Sequence, residues 1–269
     1  MSTESRNPRS IGLDKMSARE IVRLMNEEEL VVMRALKAVE EPLAEAAQRA
    51  ADAFKNGGRV IYAGSGTSGR IATMDAAEMP PTFGISTDRF VAIVSGGDAA
   101  QAAAKEDAED DTHEAVVALN DLSLSRKDVV VGIAASGRTP FVVAAVNHAR
   151  DKGVWTCGIA NNRNTPLLLN ADLGILLDTG PEILTGSTRL KAGTAQKLAL
   201  NRISTTAMVL AGKTVSNLMI DVKANNQKLR ERCCRIVQDL TSMTKEEAWQ
   251  ALETNGWNVR EVIGGVASK

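Results

Sequence analysis

The chain has 269 residues, 44% of them hydrophobic and 24% charged, enough for one α/β domain with appendages or for two small domains. A formal net charge of -1 gives no sign of the basic surface that binds a nucleic acid or an anionic membrane, so an anionic ligand must be held locally. Cys157, Cys233 and Cys234 show neither zinc spacing nor a disulfide framework, and the opening MSTESRNPRSIGLDKMSARE lacks an apolar leader. The expectation is a cytoplasmic protein with reduced cysteines and no membrane span.

In chain order, residues 17–54 carry an apolar stripe at helical spacing through Ile21, Val22, Leu24, Met25, Leu30, Val31 and Leu36. Pro42 marks a restart and Gly57-Gly58 an end. Five short apolar runs follow, RVIYAG, RFVAIVSGG, DVVVGIAASG, VWTCGIA and LGILLD, separated by stretches long enough for helices, notably 99–119 and 140–152. Near-continuous apolar runs alternating with helices are what a parallel sheet covered on both faces requires. The predicted fold is therefore α/β, a doubly wound parallel sheet over residues 53–216, with an N-terminal helical arm over 1–52 and a small C-terminal helical region over 217–269. In the last part, Thr244 and Glu247 have the spacing of a capping box.

The first run leads into Gly64-Ser65-Gly66-Thr67-Ser68-Gly69, which satisfies the G-x-G-x-x-G pattern of dinucleotide-binding folds. Two features speak against a nicotinamide cofactor. The second strand ends in Ser95-Gly96-Gly97 rather than in the acidic residue that holds a ribose, and Pro80-Pro81 is expected to cut the first helix short. The third run leads into Ala135-Ser136-Gly137-Arg138-Thr139-Pro140, and a third cluster of hydroxyls and cations runs over 185–194. Each of the first two loops offers glycine for close approach (Gly66, Gly137), hydroxyl donors, an arginine and a following helix N-terminus that favours negative charge. Three such clusters suit a compact phosphomonoester better than an extended pyrophosphate. Helix capping is the competing explanation for the serines and threonines.

Acid and base candidates are few. Only His113 and His148 are present, neither beside a nucleophile motif, and no carboxylate and histidine spacing resembles a metal site. Glu78 precedes Pro80-Pro81, where an early chain reversal is expected to bring its side chain toward the glycine loop, the alternative being a solvated residue at a helix end. Glu106, Glu109 and Asp110 are expected on one helix after the second strand, with Glu106 and Glu109 on one face, and spacing does not choose among them.

Beyond these patterns, GTSGRIATMDAAEMPPTFG, GGDAAQAAAKEDAED, VVGIAASGRTPFV, PEILTGSTRLKAGTAQKLALN and NLMIDVKANNQKL, with TESRNP near the start, resemble one family: the N-acetylmuramic acid 6-phosphate etherases, relatives of the glucokinase regulatory protein within the sugar isomerase (SIS) fold. The resemblance implies a lyase that cleaves a lactyl ether to give N-acetylglucosamine 6-phosphate and D-lactate in cell-wall sugar recycling or catabolism. It implies no metal or other cofactor, and a homodimer with sites near the subunit interface. Carried over by position, it puts the proton donor on Glu78 and a second active-site carboxylate on Glu109. It also puts substrate-binding groups on Gly66, Thr67, Ser68, Ser136, Gly137, Thr139, Ser187, Thr188 and Arg189. The sequence departs from the family pattern at Ala134, where SIS loops often carry serine, and at Asp107, where glycine is expected. A non-catalytic sugar-phosphate sensor and a phosphosugar isomerase are the competing readings. The joint presence of Glu78 and Glu109 favours the enzyme over a sensor, and an isomerase has no use for an acid at C3.

Overall fold

The computed structural model describes residues 2–97, 99–102 and 106–267. Three short 3-10 turns within the first fifteen residues lead to helix α1 (Ala18–Lys37) and helix α2 (Glu40–Lys55), so the break falls just ahead of Pro42, which sits in the first turn of α2. Ser17 and Glu20 form a capping box that starts α1. Strands β1 (Val60–Gly64), β2 (Phe90–Val94), β3 (Val129–Ile133), β4 (Trp155–Ala160) and β5 (Leu173–Leu176) form one sheet in the order β2-β1-β3-β4-β5, with every neighbouring pair parallel. β1 and β3 are buried at every residue, which is why both read as unbroken apolar runs.

Helices cover both faces. On one face, α1, α2, helix α3 (Gly66–Phe83) and helix α8 (Lys191–Leu210) pack a cluster that includes Leu36, Leu43, Tyr62, Phe83, Ile159 and Leu200. Helices α5 (Thr112–Asp121), α6 (Pro140–Asp151) and α7 (Pro166–Asn170) cover the other, around Ile61, Leu119, Phe141 and Leu167. A third apolar cluster, separate from the sheet, gathers the hairpin strands β6 (Thr214–Val215) and β7 (Leu218–Met219) with helices α9 (Gln227–Leu240), α10 (Lys245–Thr254) and α11 (Val259–Ala267). The Thr244–Glu247 capping box is present at the start of α10, and all three cysteines are free and buried. Among the described residues no helix is long and apolar enough to cross a membrane.

Two expectations about helix lengths are corrected. Pro80 and Pro81 lie inside α3, which continues to Phe83 and ends on Gly84 in the left-handed region. Each proline removes one backbone bond, but both sit in the last turns, where their fixed φ is helical and burial of Met79 and Phe83 holds the end down. The stretch 99–119 is likewise not one helix. A short α4 (Ala99–Ala102) and a 3-10 segment (Glu106–Asp110) precede α5, which starts afresh because the Asp111 carboxylate accepts a hydrogen bond from the Glu114 N–H.

Beneath the sheet, one buried carboxylate ties β1, α3 and α8 together. Asp75 accepts hydrogen bonds from the Tyr62 hydroxyl (2.9 Å), Asn201 Nδ2 (2.6 Å) and the Ser204 hydroxyl (3.1 Å). Burial pushes its pKa up, against the pull of these donors and of Lys197. Its favourable contribution to stability is therefore present below the unfolded pKa and fades as pH rises through the higher folded one. Asp75→Ala strands three donors and is expected to cost about 3 kcal/mol, measured by urea unfolding. Asp75→Asn is expected to cost less and to flatten the dependence of stability on pH in that window, and an unchanged pH profile contradicts the assignment.

Candidate functional site

In a sheet of this order the strand sequence reverses between β1 and β3, and ligands bind in the crevice beyond the carboxyl ends of those strands. Gly64 is paired with Ile133, so the loops leaving β1 and β3 emerge side by side. The glycine pattern after β1 is explained by packing. A Cβ on Gly64 meets the Gly69 backbone nitrogen at 2.7 Å, and a Cβ on Gly69 meets Val94 at 2.6 Å. Gly64 and Gly69 thus let α3 start directly against the strands, while Gly66 adopts a positive φ of 53°. In the second loop Gly137 has a φ of 65°, and a Cβ there falls 2.3 Å from the Thr165 hydroxyl.

A cleft of about 420 Å³ opens at this crevice, lined by Ser65, Gly66, Thr67, Ser68, Glu109, Ala134, Ser136, Arg138, Thr139, Pro140 and Thr188, with Thr3 and Glu4 from the N-terminal segment. Two helices point their N-termini into it. Ser65 at the start of α3 and Thr139 at the start of α6 are not spent on capping, since neither makes a side-chain cap, and Thr165 at the start of α7 makes none either. Ser17, Asp111, Asn226 and Thr244, which start helices elsewhere, all make one. Neither α3 nor α6 has an acidic residue in its first turn. The first N–H groups of both helices, the positive ends of their dipoles and the Arg138 guanidinium together form an electropositive corner suited to a phosphate.

The hydroxyls around that corner differ in their commitments. Ser68 is buried and donates to Gln196 Oε1 at 2.7 Å; Gln196 in turn donates to Asn161 Oδ1 at 2.9 Å, and Asn161 to the Leu177 carbonyl. The Ser136 and Thr139 hydroxyls lie 3.4 Å apart, and Ser136 accepts from the Arg138 N–H, which folds the second loop into a tight turn. Ser95 and Ser65 share a short hydroxyl contact of 2.6 Å, joining the ends of β2 and β1.

A third helix start near the cleft is already neutralised. The Glu182 carboxylate accepts from the Lys191 and Ala192 N–H groups at 3.1 and 2.9 Å, and burial pushes its pKa up against those bonds. Beside it, Glu28 accepts from Lys191 Nζ at 2.5 Å, Asn7 Nδ2 at 2.7 Å and Arg9 at 2.9 Å. Burial raises the Glu28 pKa, but Lys191, Asn7 and Arg9 outweigh it and leave it lowered. The site's positive potential therefore comes from α3 and α6, with α8 serving as scaffold.

The geometry gathers Gly66, Thr67, Ser68, Glu109, Ser136, Thr139 and Thr188 around one cleft, with Gly137 shaping the turn between Ser136 and Thr139. Ser187 and Arg189 flank Thr188 on the 185–190 loop but do not line the cleft of their own chain. Glu78 does not line it either. The chain reversal expected after it does not occur, so Glu78 sits exposed on α3, twelve residues and about 18 Å of helix beyond Gly66. Glu109 is carried by the 3-10 segment, and the side chains of Glu106 and Asp107 fall outside the described residues. Thr3, Glu4, Ser65, Arg138, Asn161 and Gln196 were not among the expected site residues. Arg138 and Ser65 lie within the two loop motifs, but the contacts of the other four depend on partners distant in sequence.

Three family models match the chain: the glucokinase regulatory protein N-terminal SIS domain over residues 42–150, the SIS domain over 108–203, and the C-terminal lid domain of glucokinase regulatory protein over 216–264. The fold is shared with the phosphoheptose isomerases of Francisella tularensis (TM-score 0.55, 19% identity, 74% of this chain and 100% of that one) and Neisseria gonorrhoeae (TM-score 0.54, 21% identity, 70% and 98%). Sequence similarity reaches further. An N-acetylmuramic acid 6-phosphate etherase of Actinobacillus pleuropneumoniae serotype 7 is 46% identical over 98% of this chain and 86% of its own length. One of Yersinia pestis (strain Pestoides F) is 47% identical over 97% of this chain and 88% of its own. With that identity sustained over nearly its whole length, the chain belongs to the N-acetylmuramic acid 6-phosphate etherase family.

Proposed function

We propose that the protein is a cytoplasmic carbon-oxygen lyase. It removes the D-lactyl group from N-acetylmuramic acid 6-phosphate and returns N-acetylglucosamine 6-phosphate and D-lactate. One observation carries the reading beyond family membership: two uncapped helix N-termini and Arg138 converge on a hydroxyl-lined cleft that also holds the Glu109 carboxylate. The first part is a seat for the 6-phosphate, and the carboxylate is a proton acceptor within the same cavity.

An alkoxide is a poor leaving group, so direct displacement at the ether is unfavourable at neutral pH. The open-chain sugar offers another route, because the C2 proton is α to the C1 aldehyde. Glu109 takes that proton; the electron pair forms the C2–C3 double bond, the C3–O bond breaks, and an acid protonates the departing lactyl oxygen. Water then adds its oxygen to C3 and a proton to C2, which saturates the C2–C3 bond of the aldehyde and leaves a hydroxyl at C3. Assigning the acid to Glu78 has a geometric consequence. Since Glu78 does not reach the cleft of its own chain, it acts in the cleft of a second copy.

A dimer is supported by the outer face of α1. Val22, Leu30 and Met33 lie on one side of that helix and are 57%, 64% and 53% exposed, an apolar stripe of the kind that marks an association surface. Next to it, a groove of about 540 Å³ is lined by Ile11, Leu13, Ile21, Ile183 and Leu184 among others.

The test is release of D-lactate from the phosphorylated sugar. N-acetylmuramic acid without the 6-phosphate is expected to be turned over at least about a hundredfold less efficiently, since charge-assisted hydrogen bonds to the anion contribute roughly 1.5–3 kcal/mol each. Ser136→Ala is expected mainly to raise KM. Equal turnover of the two sugars overturns the phosphate assignment, and absence of lactate overturns the reaction.

A further inference from the structure

The N-terminal segment is fastened across the mouth of the cleft by contacts unrelated to its local sequence. Thr3 is 1% exposed. Its N–H donates to Asn162 Oδ1 at 3.3 Å, and its hydroxyl accepts from Asn162 Nδ2 at 2.9 Å. Its carbonyl accepts from the Gly186 N–H at 3.3 Å. The Ser2 hydroxyl also donates to Asn162 Oδ1, at 3.2 Å. Asn162, itself 2% exposed, follows β4 and uses Nδ2 a second time to hold the Ala135 carbonyl at 2.9 Å, immediately before Ser136. Further along, Asn7 is buried and bonded to Glu28 and to the Pro181 carbonyl. The segment is thereby tied both to the loop after β3 and to the loop carrying Thr188.

These ties hold Glu4 at the cleft, with one carboxylate oxygen 3.2 Å from where a Cβ on Gly186 stands. A carboxylate is an acceptor only and is repelled by a phosphate, so its presence beside an electropositive corner calls for a ligand with neutral donors as well as an anion. A sugar phosphate carrying hydroxyls and an amide N–H has both. We propose that residues 2–5 form a fixed wall of the sugar subsite. Glu4 accepts hydrogen bonds from substrate hydroxyl or amide donors, and Thr3 and Asn162 are positioning residues for it. This rests on the sugar-phosphate reading above and adds to it the group that recognises the sugar rather than the phosphate.

The test measures calorimetric Kd values for N-acetylglucosamine 6-phosphate and for inorganic phosphate, beside lactate release. Glu4→Ala is expected to weaken binding of the sugar phosphate about 10- to 100-fold, the loss of a hydrogen bond to a charged group, while phosphate binds within about twofold of its original affinity or slightly tighter. Thr3→Val is expected to follow Glu4→Ala, and Thr3→Ser, which keeps the hydroxyl, to restore most of the lost affinity. Asn162→Ala also frees Ala135 and is expected to weaken both ligands. The proposal is overturned if Glu4→Ala leaves the sugar phosphate unaffected, if it weakens inorganic phosphate in parallel, or if the parent protein gains no affinity from the sugar ring. A parent protein that binds N-acetylglucosamine 6-phosphate but releases no lactate sinks the reaction and leaves the sugar subsite standing.

Discussion

The Glu78→Gln protein is expected to release D-lactate about 10²- to 10⁴-fold more slowly than its parent, the range that a positioned general acid contributes, yet still to exchange the C2 hydrogen for deuterium. The separation follows from where the two carboxylates sit. Glu109 lines the cleft beside the phosphate corner, whereas Glu78 is on the far part of α3, so neither substitution disturbs the other's surroundings. In deuterated water, substrate recovered from the Glu78→Gln protein should carry deuterium at C2, because abstraction by Glu109 as the proposed base is reversible when the leaving group cannot depart. Glu109→Gln is expected to lose both exchange and lactate release. Glu106→Gln is the control, since Glu106 lies one 3-10 turn before Glu109. If Glu106→Gln loses exchange while Glu109→Gln keeps it, the base is Glu106.

The contrast between these two carboxylates also marks where sequence patterns stop being informative. Strands buried on both faces announce themselves, because each of VIYAG and VVVGI must be apolar throughout. The loops after β1 and β3 are equally legible, since close packing of α3 on Val94 demands glycine at 69 whatever else the loop binds. The G-x-G-x-x-G pattern reports that strand-to-helix packing rather than a dinucleotide. Pro80-Pro81 misled because each proline costs a backbone bond but keeps a helical φ, and only the burial of Met79 and Phe83 shows that packing holds this last turn in place. The helix expected over 99–119 failed for a related reason: Asp111 offers the backbone a cap in competition with helix continuation. The stretch TESRNP was legible as a family likeness, but nothing in it placed Thr3 and Glu4 at the cleft, because the bond from Ser2 to Asn162 that holds the segment there spans 160 positions.

Mixing inactive Glu78→Gln and Glu109→Gln proteins is expected to restore about a quarter of the parent activity. If subunits of a two-fold dimer exchange freely, half of the dimers contain one chain of each kind. In each of these, the cleft that keeps its own Glu109 receives an intact Glu78 from the other chain, and the second cleft has lost both groups. One working cleft in two, in half of the dimers, gives the quarter. Were Glu78 to serve its own chain, every cleft in the mixture would lack one carboxylate and no activity would return. The expectation rests on the length of α3, because a glutamate side chain cannot span the distance along the helix that separates Glu78 from Gly66. It also requires that subunits associate, so light scattering of the same mixture must give about twice the 28.6 kDa chain mass. Activity that returns in a monomeric sample, or a verified mixed dimer that stays inactive, removes Glu78 from the partner's cleft.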